Sequence, residues 1–503
     1  MADRKANITS FNVLGAAFGA LLTLQLNDRF GRLYSWRVAV VVWATGLVVQ
    51  VFSSGMYGLL LFARIWSGLG TGALTVIAPL YLSEIGEFFD RVPEALLTEL
   101  IAPARTRGLA VSVYMVILLA VLAMGMFHLT PRPIQPSSLE KGFFINYGAR
   151  LHMSSTRTQY RLVQSIPLIP VGLAFLASFT IPETPRYLLS KQKHKEARAS
   201  LALLRGKVTT DPAVDSEFTS INHQLRAQSI PISHWAALKE TQTDPNYRQR
   251  FWLLITMQTI AQWTGGNGIT YYMASIFEFA GVVGTEQALI SSGAYGIVKL
   301  VFTMAFTWGL IDYIGRRRCA LAGLTLQLAA HIYMAAYMGL TPSSTSTSTP
   351  HHPQNKPAST AAITSIFVYA VGWSIGLCTI PYLYGTEIFP TRIRNISYGL
   401  SMSLHWFFQF AVVRVTPNMF VSLRVWGAYV FWASVCFVGL VVLGVWMPET
   451  SGVPVERMGE VFAGRWYMRW AGGLERGERE DHRKGGGGGG GDGFCFERAM
   501  VEK

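Results

Sequence analysis

Asp28-Arg29-Phe30-Gly31-Arg32 recurs in the second half of the chain as Asp312-Tyr313-Ile314-Gly315-Arg316. In each copy a glycine sits among charges at the end of a long apolar run. That is the composition of a tight turn, because glycine lets the backbone reverse. Working outward, further echoes follow in the same order. Pro79, Tyr81, Glu84 and Ile85 match Pro381, Tyr384, Glu387 and Ile388. Ala102-Pro103-Ala104-Arg105-Thr106-Arg107 matches Phe389-Pro390-Thr391-Arg392-Ile393-Arg394, and Pro182-Glu183-Thr184 matches Pro448-Glu449-Thr450. The chain is two copies of one unit. Repeated helical halves with a ligand held between them are a plan of membrane transporters.

The composition agrees. Half of the 503 residues are apolar and only 14% are charged, against roughly 25% charged in soluble domains. Four scattered cysteines exclude a disulfide scaffold. Runs of about 20 apolar residues cross a bilayer. Eleven such runs are expected to do so: 10–26, 37–53, 57–81, 109–127, 163–181, 251–277, 290–311, 319–340, 361–384, 398–420 and 426–447. The fold class is therefore all-α and polytopic. The net charge of +14 follows topology: Lys and Arg crowd alternate gaps, with eleven in 186–250 alone. By the positive-inside rule this loop and the C-terminus are cytoplasmic. The gap 128–162, with five basic residues, is an exception. Nucleic acid is not expected as a partner.

The repeat also exposes irregularities. Glu387-Ile388 runs straight into Phe389-Pro390, whereas residues 86–101 separate Glu84-Ile85 from Ala102-Pro103. A proline-rich stretch, 128–142, interrupts another run. Both read as insertions or as genuine loops. The first run leads into Asp28–Arg32, which should follow a second helix, so the first half reads as lacking its first helix. The expected organisation is a bundle over 1–183, a cytoplasmic loop with short helices over 184–250, a second bundle over 251–466 and a disordered tail over 467–503.

Taken in order, these motifs resemble the sugar porter family of the major facilitator superfamily, over about residues 10–466. Arg64 with Gly68, Gly70 and Gly72, Pro182–Arg186 and Gln262–Tyr272 complete the set. Tyr295–Lys299 and Asn146–Gly148 are most similar to the fungal branch that contains quinate permeases. The resemblance implies two six-helix bundles, a sugar or polyhydroxy acid such as a hexose or quinate, proton symport by alternating access, and a monomer in the plasma membrane. It implies no cofactor, no metal and no enzymatic step. The alternatives are a non-transporting nutrient sensor or a truncated, non-functional homologue.

Conformational switching is expected of the charged motif residues Asp28, Arg32, Arg64, Glu84, Arg107, Glu183, Arg186, Asp312, Arg316, Arg317, Glu387 and Arg394. The resemblance implies cross-pairs Glu84–Arg394 and Glu387–Arg107 as latches; a static surface pair worth about 0–1 kcal/mol is the other reading. Polar residues inside apolar runs are the substrate candidates. Gln262, Asn267 and Tyr271 share a run that Gly265-Gly266 can break, and amides both donate to and accept from hydroxyls. Trp373, Trp406 and Gln409 offer an aromatic face and a further amide. His405 stands where the family has asparagine, Ala261 where it has a first glutamine, and Tyr382 where it has tryptophan. Lys299 lies in mid-run, where a charge costs about 2.5–3.5 kcal/mol and marks a functional position by default. It suits a ligand carboxylate, or else an ion pair with another helix.

Overall fold

A computed structural model describes residues 2–53, 55–86, 157–227, 233–282, 285–306, 311–341, 356–451 and 458–463. Among them all regular structure is helical. The first half contributes α1 (Ala2–Phe30), α2 (Arg32–Phe52), α3 (Tyr57–Gly86), α4 (Arg157–Ser165) and α5 (Leu168–Ala177). The intervening loop forms α6 (Pro185–Ser190), α7 (His194–Arg205), α8 (Pro212–Ala227) and α9 (His234–Thr243). The second half begins with α10 (Pro245–Trp263), α11 (Gly266–Tyr271) and α12 (Met273–Phe279), which together occupy one expected run. Then come α13 (Thr285–Ala305), α14 (Ile311–Ile314), α15 (Arg316–Leu340), α16 (Lys356–Gly376), α17 (Ile380–Glu387), α18 (Thr391–Ser422), α19 (Arg424–Trp446) and α20 (Met458–Ala463).

Seven helical segments among the described residues are long and apolar enough to cross a membrane. The long α18 and the broken α10–α12 fall short of that apolarity because they carry buried amides, a histidine and hydroxyls. Polar residues that weaken the membrane signal are thus the first pointer to a site. The run 109–127, the stretches 87–101 and 128–142, Arg105, Arg107, Asn146–Gly148 and the tail 467–503 lie outside the described residues.

The repeat is visible in three dimensions. α1 leads into the Gly31 turn as α13 and α14 lead into the Gly315 turn, so α1 stands where the second helix of the unit stands. Gly31 and Gly315 take φ of 95° and 97°, left-handed values that glycine adopts without strain. α3 packs on α1 and α2, and α15 packs on α16 and α19. Small residues make the close seams. A Cβ added at Gly68 or Gly72 would overlap the α1 backbone, and one at Gly70 would meet Trp43 of α2. The three glycines of one motif therefore serve two neighbours.

The halves meet mainly through α1 against α18. Ser403 Oγ donates to the Ala17 carbonyl at 2.9 Å, and Asn395 Nδ2 to the Leu24 carbonyl at 3.4 Å. Ala20, Val76 and Leu80 from the first half form one buried cluster with Tyr382, Tyr398 and Met402 from the second. In this conformation the halves are sealed on the side of the glycine turns. The loop helix α9 spans the seal: His234 lies 3.8 Å from Asp28, Thr241 meets Ser397 at 3.4 Å, and Glu240 pairs with Arg392.

A buried polar seam as the candidate substrate site

Each glycine turn carries the same device. Glu183 reaches the start of α2, where its carboxylate accepts from Arg32 N at 3.2 Å and Leu33 N at 2.9 Å. Glu449 does the same for α15, accepting from Arg316 N at 2.8 Å and Arg317 N at 3.1 Å. A helix start has unpaired N–H groups and a positive dipole end, which a carboxylate satisfies. Burial raises the Glu183 carboxyl above its ordinary pKa, against the backbone donors that favour its charged form. Arg32 pairs with Glu84 at 2.6 Å, and Arg316 with Glu387 at 3.3 Å.

These pairs lie within a half, not across it. Glu84 binds Arg32, a partner in its own half besides the Arg394 that the sequence expectation gives it for the outward-facing state; Arg394 Nε donates to the Phe389 carbonyl at 3.1 Å. The reason is proximity: α2 begins directly beneath the end of α3. Asp28 lies 3.9 Å from Arg32, and Arg317 donates to the Gly444 carbonyl at 2.5 Å. Arg186 is buried at the start of α6. Arg64 is buried within electrostatic reach of Tyr160 and Tyr271. The partner expected for Glu387, Arg107, and the side chain of Asp312 lie outside what is described.

The substrate candidates gather around the break between α10 and α11. Gly265, with φ of 90°, ends the helical ladder there. The break frees the Thr264 carbonyl, which accepts from His331 Nε2 at 3.0 Å and from Tyr369 Oη at 3.2 Å. Beside it, Asn267 Nδ2 donates to Gln262 Oε1 at 2.7 Å, and Gln262 Nε2 lies 3.0 Å from His405 Nε2. Tyr382 Oη is 3.1 Å from the same ring nitrogen, and His405 Nδ1 is 2.6 Å from Gln258 Oε1. Tyr271 lies within reach of the Gln409 side chain.

Lys299, on α13, reaches across to α11. Its Nζ donates to Thr270 Oγ1 at 3.3 Å and lies 3.7 Å from the centre of the Trp373 ring. It is 6% exposed and has no carboxylate partner among the described residues. Trp373 also touches the break, since a Cβ on Gly266 would overlap its Nε1. Trp406 Nε1 donates to Thr75 Oγ1 at 3.0 Å, so this ring ties α18 to α3 across the halves. The seam thus unites Gln262, Asn267, Tyr271, Gln409, Lys299 and Trp373 on one half, with Trp406 at its edge. Sequence reasoning missed Gln258, Thr270 and Thr75. Gln258 was findable: it lies four residues before Gln262, on the same helical face.

Comparison with known proteins now has a geometry to rest on. A family profile described as "Sugar (and other) transporter" matches residues 2–120 and 134–462. The chain belongs to this family. It is an integral membrane transporter of the major facilitator superfamily. Curated relatives include a quinate permease of Neurospora africana, 28% identical over 465 residues, covering 91% of this chain and 80% of the relative. A probable quinate permease of Aspergillus niger is 27% identical over 478 residues, covering 92% and 80%. Among solved structures, the proton:xylose symporter XylE bound to 6-bromo-6-deoxy-D-glucose aligns with TM-score 0.68 at 18% identity, over 92% of this chain and 90% of that one. The inward-open xylose transporter XylE from E. coli aligns with TM-score 0.62 at 18% identity, over 92% and 90%. These structures share the fold.

Proposed function

We propose that this transporter carries a polyhydroxy acid of the quinate type across the plasma membrane, by proton symport and alternating access. The ligand sits in the polar seam and leaves chemically unchanged. One observation carries the reading: Lys299 is buried in mid-helix with no protein carboxylate beside it among the described residues. A desolvated cation–π contact is worth about 2 kcal/mol. That offsets part of the roughly 2.5–3.5 kcal/mol cost of a mid-membrane cation. A ligand carboxylate supplies the rest and accounts for a charge where a neutral sugar needs none. The relatives named as quinate permeases support this class of substrate. The neighbour described as a proton:xylose symporter supports the coupling.

The test is radiolabelled uptake in transporter-deficient yeast. Lys299→Asn is expected to reduce quinate uptake about 10-fold or more while changing hexose uptake about 2-fold or less. Trp406→Ala is expected to weaken both, because its contact ignores ligand charge. Equal losses for acid and hexose on Lys299→Asn return the lysine to a structural role and make hexose the substrate. A protonophore is expected to abolish accumulation of the acid; accumulation that persists removes proton coupling.

A further inference from the structure

The hydrogen bonds around His405 form a chain with a direction. It ends on Met402, where Gln258 Nε2 lies 3.7 Å from the thioether sulfur. A thioether has no proton to give, so Gln258 presents its N–H there. Its Oε1 then faces His405 Nδ1 at 2.6 Å, which places the ring proton on Nδ1. His405 Nε2 is left to accept; the Gln262 amide nitrogen lies 3.0 Å from it and 3.2 Å from Nδ1, and the Tyr382 hydroxyl, at 3.1 Å from Nε2, shares its one lone pair. Gln262 Oε1 in turn accepts from Asn267 Nδ2 at 2.7 Å. Donation therefore runs Asn267, Gln262, His405, Gln258, Met402 without reversal. The remaining group is Asn267 Oδ1, an acceptor on a half-buried side chain with no partner among the described residues.

We infer that His405 is a positioning residue: it holds this chain in one direction, so that Asn267 meets the substrate as an acceptor and selects a ligand hydroxyl that donates. Asparagine at this position would lack the reach to bond Gln258 and Gln262 at once. The imidazole bridges them and fixes both amides. The ring is neutral in this role, since a second ring proton would point at the Gln262 N–H groups. The groups facing it are Gln258 and Gln262 from α10 and Tyr382 from α17. Among the described residues no charged side chain bonds it. The inference deepens the substrate reading and rests on the same seam being the binding site. Asn267 and Thr270 lie three residues apart on α11, about 4.5 Å along a helix. The ligand therefore carries its donating hydroxyl about one turn from the carboxylate bound by Lys299.

The experiment uses the purified full-length chain in lipid nanodiscs, with quinate and its mono-O-methyl ethers as probes. Methylation removes a donor and keeps the acceptor. A parallel arm uses glucose and its mono-O-methyl ethers. In the wild type one ether of a series is expected to bind about 10- to 100-fold more weakly than its parent. His405→Gln preserves both bonds and the direction of the chain, so it is expected to keep that discrimination. His405→Leu frees Gln262 and Asn267 to turn over, and discrimination is expected to fall to about 2-fold or less. Because the ring stays neutral in this role, any pH midpoint of quinate affinity between about pH 5 and 8 is expected to persist unchanged in His405→Gln. Retained discrimination in His405→Leu, lost discrimination in His405→Gln, ethers that all bind like the parent, or a pH midpoint in that window that disappears in His405→Gln each overturn the inference. Discrimination seen with glucose but no binding of quinate upholds the role of His405 and sinks the polyhydroxy-acid reading alone.

Discussion

At the turn end the two halves are built from the same four residues in the same roles: Gly31, Arg32, Glu84 and Glu183 against Gly315, Arg316, Glu387 and Glu449. At the depth of the polar seam the likeness stops. The described first half offers Thr75, Arg64 and a bonded set in which Gln50 Nε2 donates to Ser67 Oγ at 2.9 Å and Ser67 Oγ to Asn12 Oδ1 at 3.0 Å. The second half concentrates Gln258, Gln262, Asn267, Lys299 and His405. The difference separates two demands. In the alternating-access reading proposed above, two halves that rock against one another need equivalent ends. A ligand with no symmetry of its own needs an unsymmetrical middle.

The comparison can be broken most violently at the helix seams. Gly72→Ala puts a methyl into the Ala16 carbonyl, a backbone atom that cannot step aside, and is expected to abolish the folded fraction seen by size exclusion. Gly444→Ala, whose new methyl has its nearest neighbour at 3.9 Å, is expected to be neutral or to stabilise by up to about 1 kcal/mol. Equal tolerance at both sites would show that the first-half seam is looser than its contacts.

Next come the caps. Glu183→Ala and Glu449→Ala are each expected to cost about 1–3 kcal/mol in thermal unfolding, and to within about 1 kcal/mol the same in both halves. A large cost in one half alone would mean that the likeness of the turns is geometric and not energetic. A smaller effect is expected from double-mutant cycles on Arg32–Glu84 and Arg316–Glu387. Each should give about 1–2 kcal/mol of coupling, and a negligible value for either pair breaks the equivalence. The smallest belongs to a pair outside the repeat. Arg205→Ala, which removes the bond to Glu217 in the loop helices, should cost about 0.5–1 kcal/mol and leave uptake unchanged.

The sequence disclosed what is local and repeated. Apolar runs of the right length located helices among the described residues, the glycines among charges located the turns, and Gly265-Gly266 located the break. It also assembled most of the seam, because a buried amide or lysine in an apolar run has few inert explanations. What escaped it was contact between residues far apart in the chain. Glu183 was singled out for switching, but its capping of α2 depends on a separation of 150 residues closing to 2.9 Å. The resemblance gave Glu84 a partner in the other half, and only the structure shows the one in its own half, Arg32. Gln258, five residues before the end of α10, was not singled out. Only Met402, brought alongside by the packing of α18, shows which way its amide faces.

The break at Gly265 leads to a different point, about where a conformation is stored. In a straight helix the Thr264 carbonyl would accept from the fourth residue onward. Here it is held by His331 of α15 and Tyr369 of α16. The bend in one helix is thus remembered by two others. Replacing the glycines alone would not straighten it, because two donors would be orphaned in the core. In lineage terms, His331 and Tyr369 are tied to the break as firmly as the glycines are, and changes at the four positions are expected to come together or not at all.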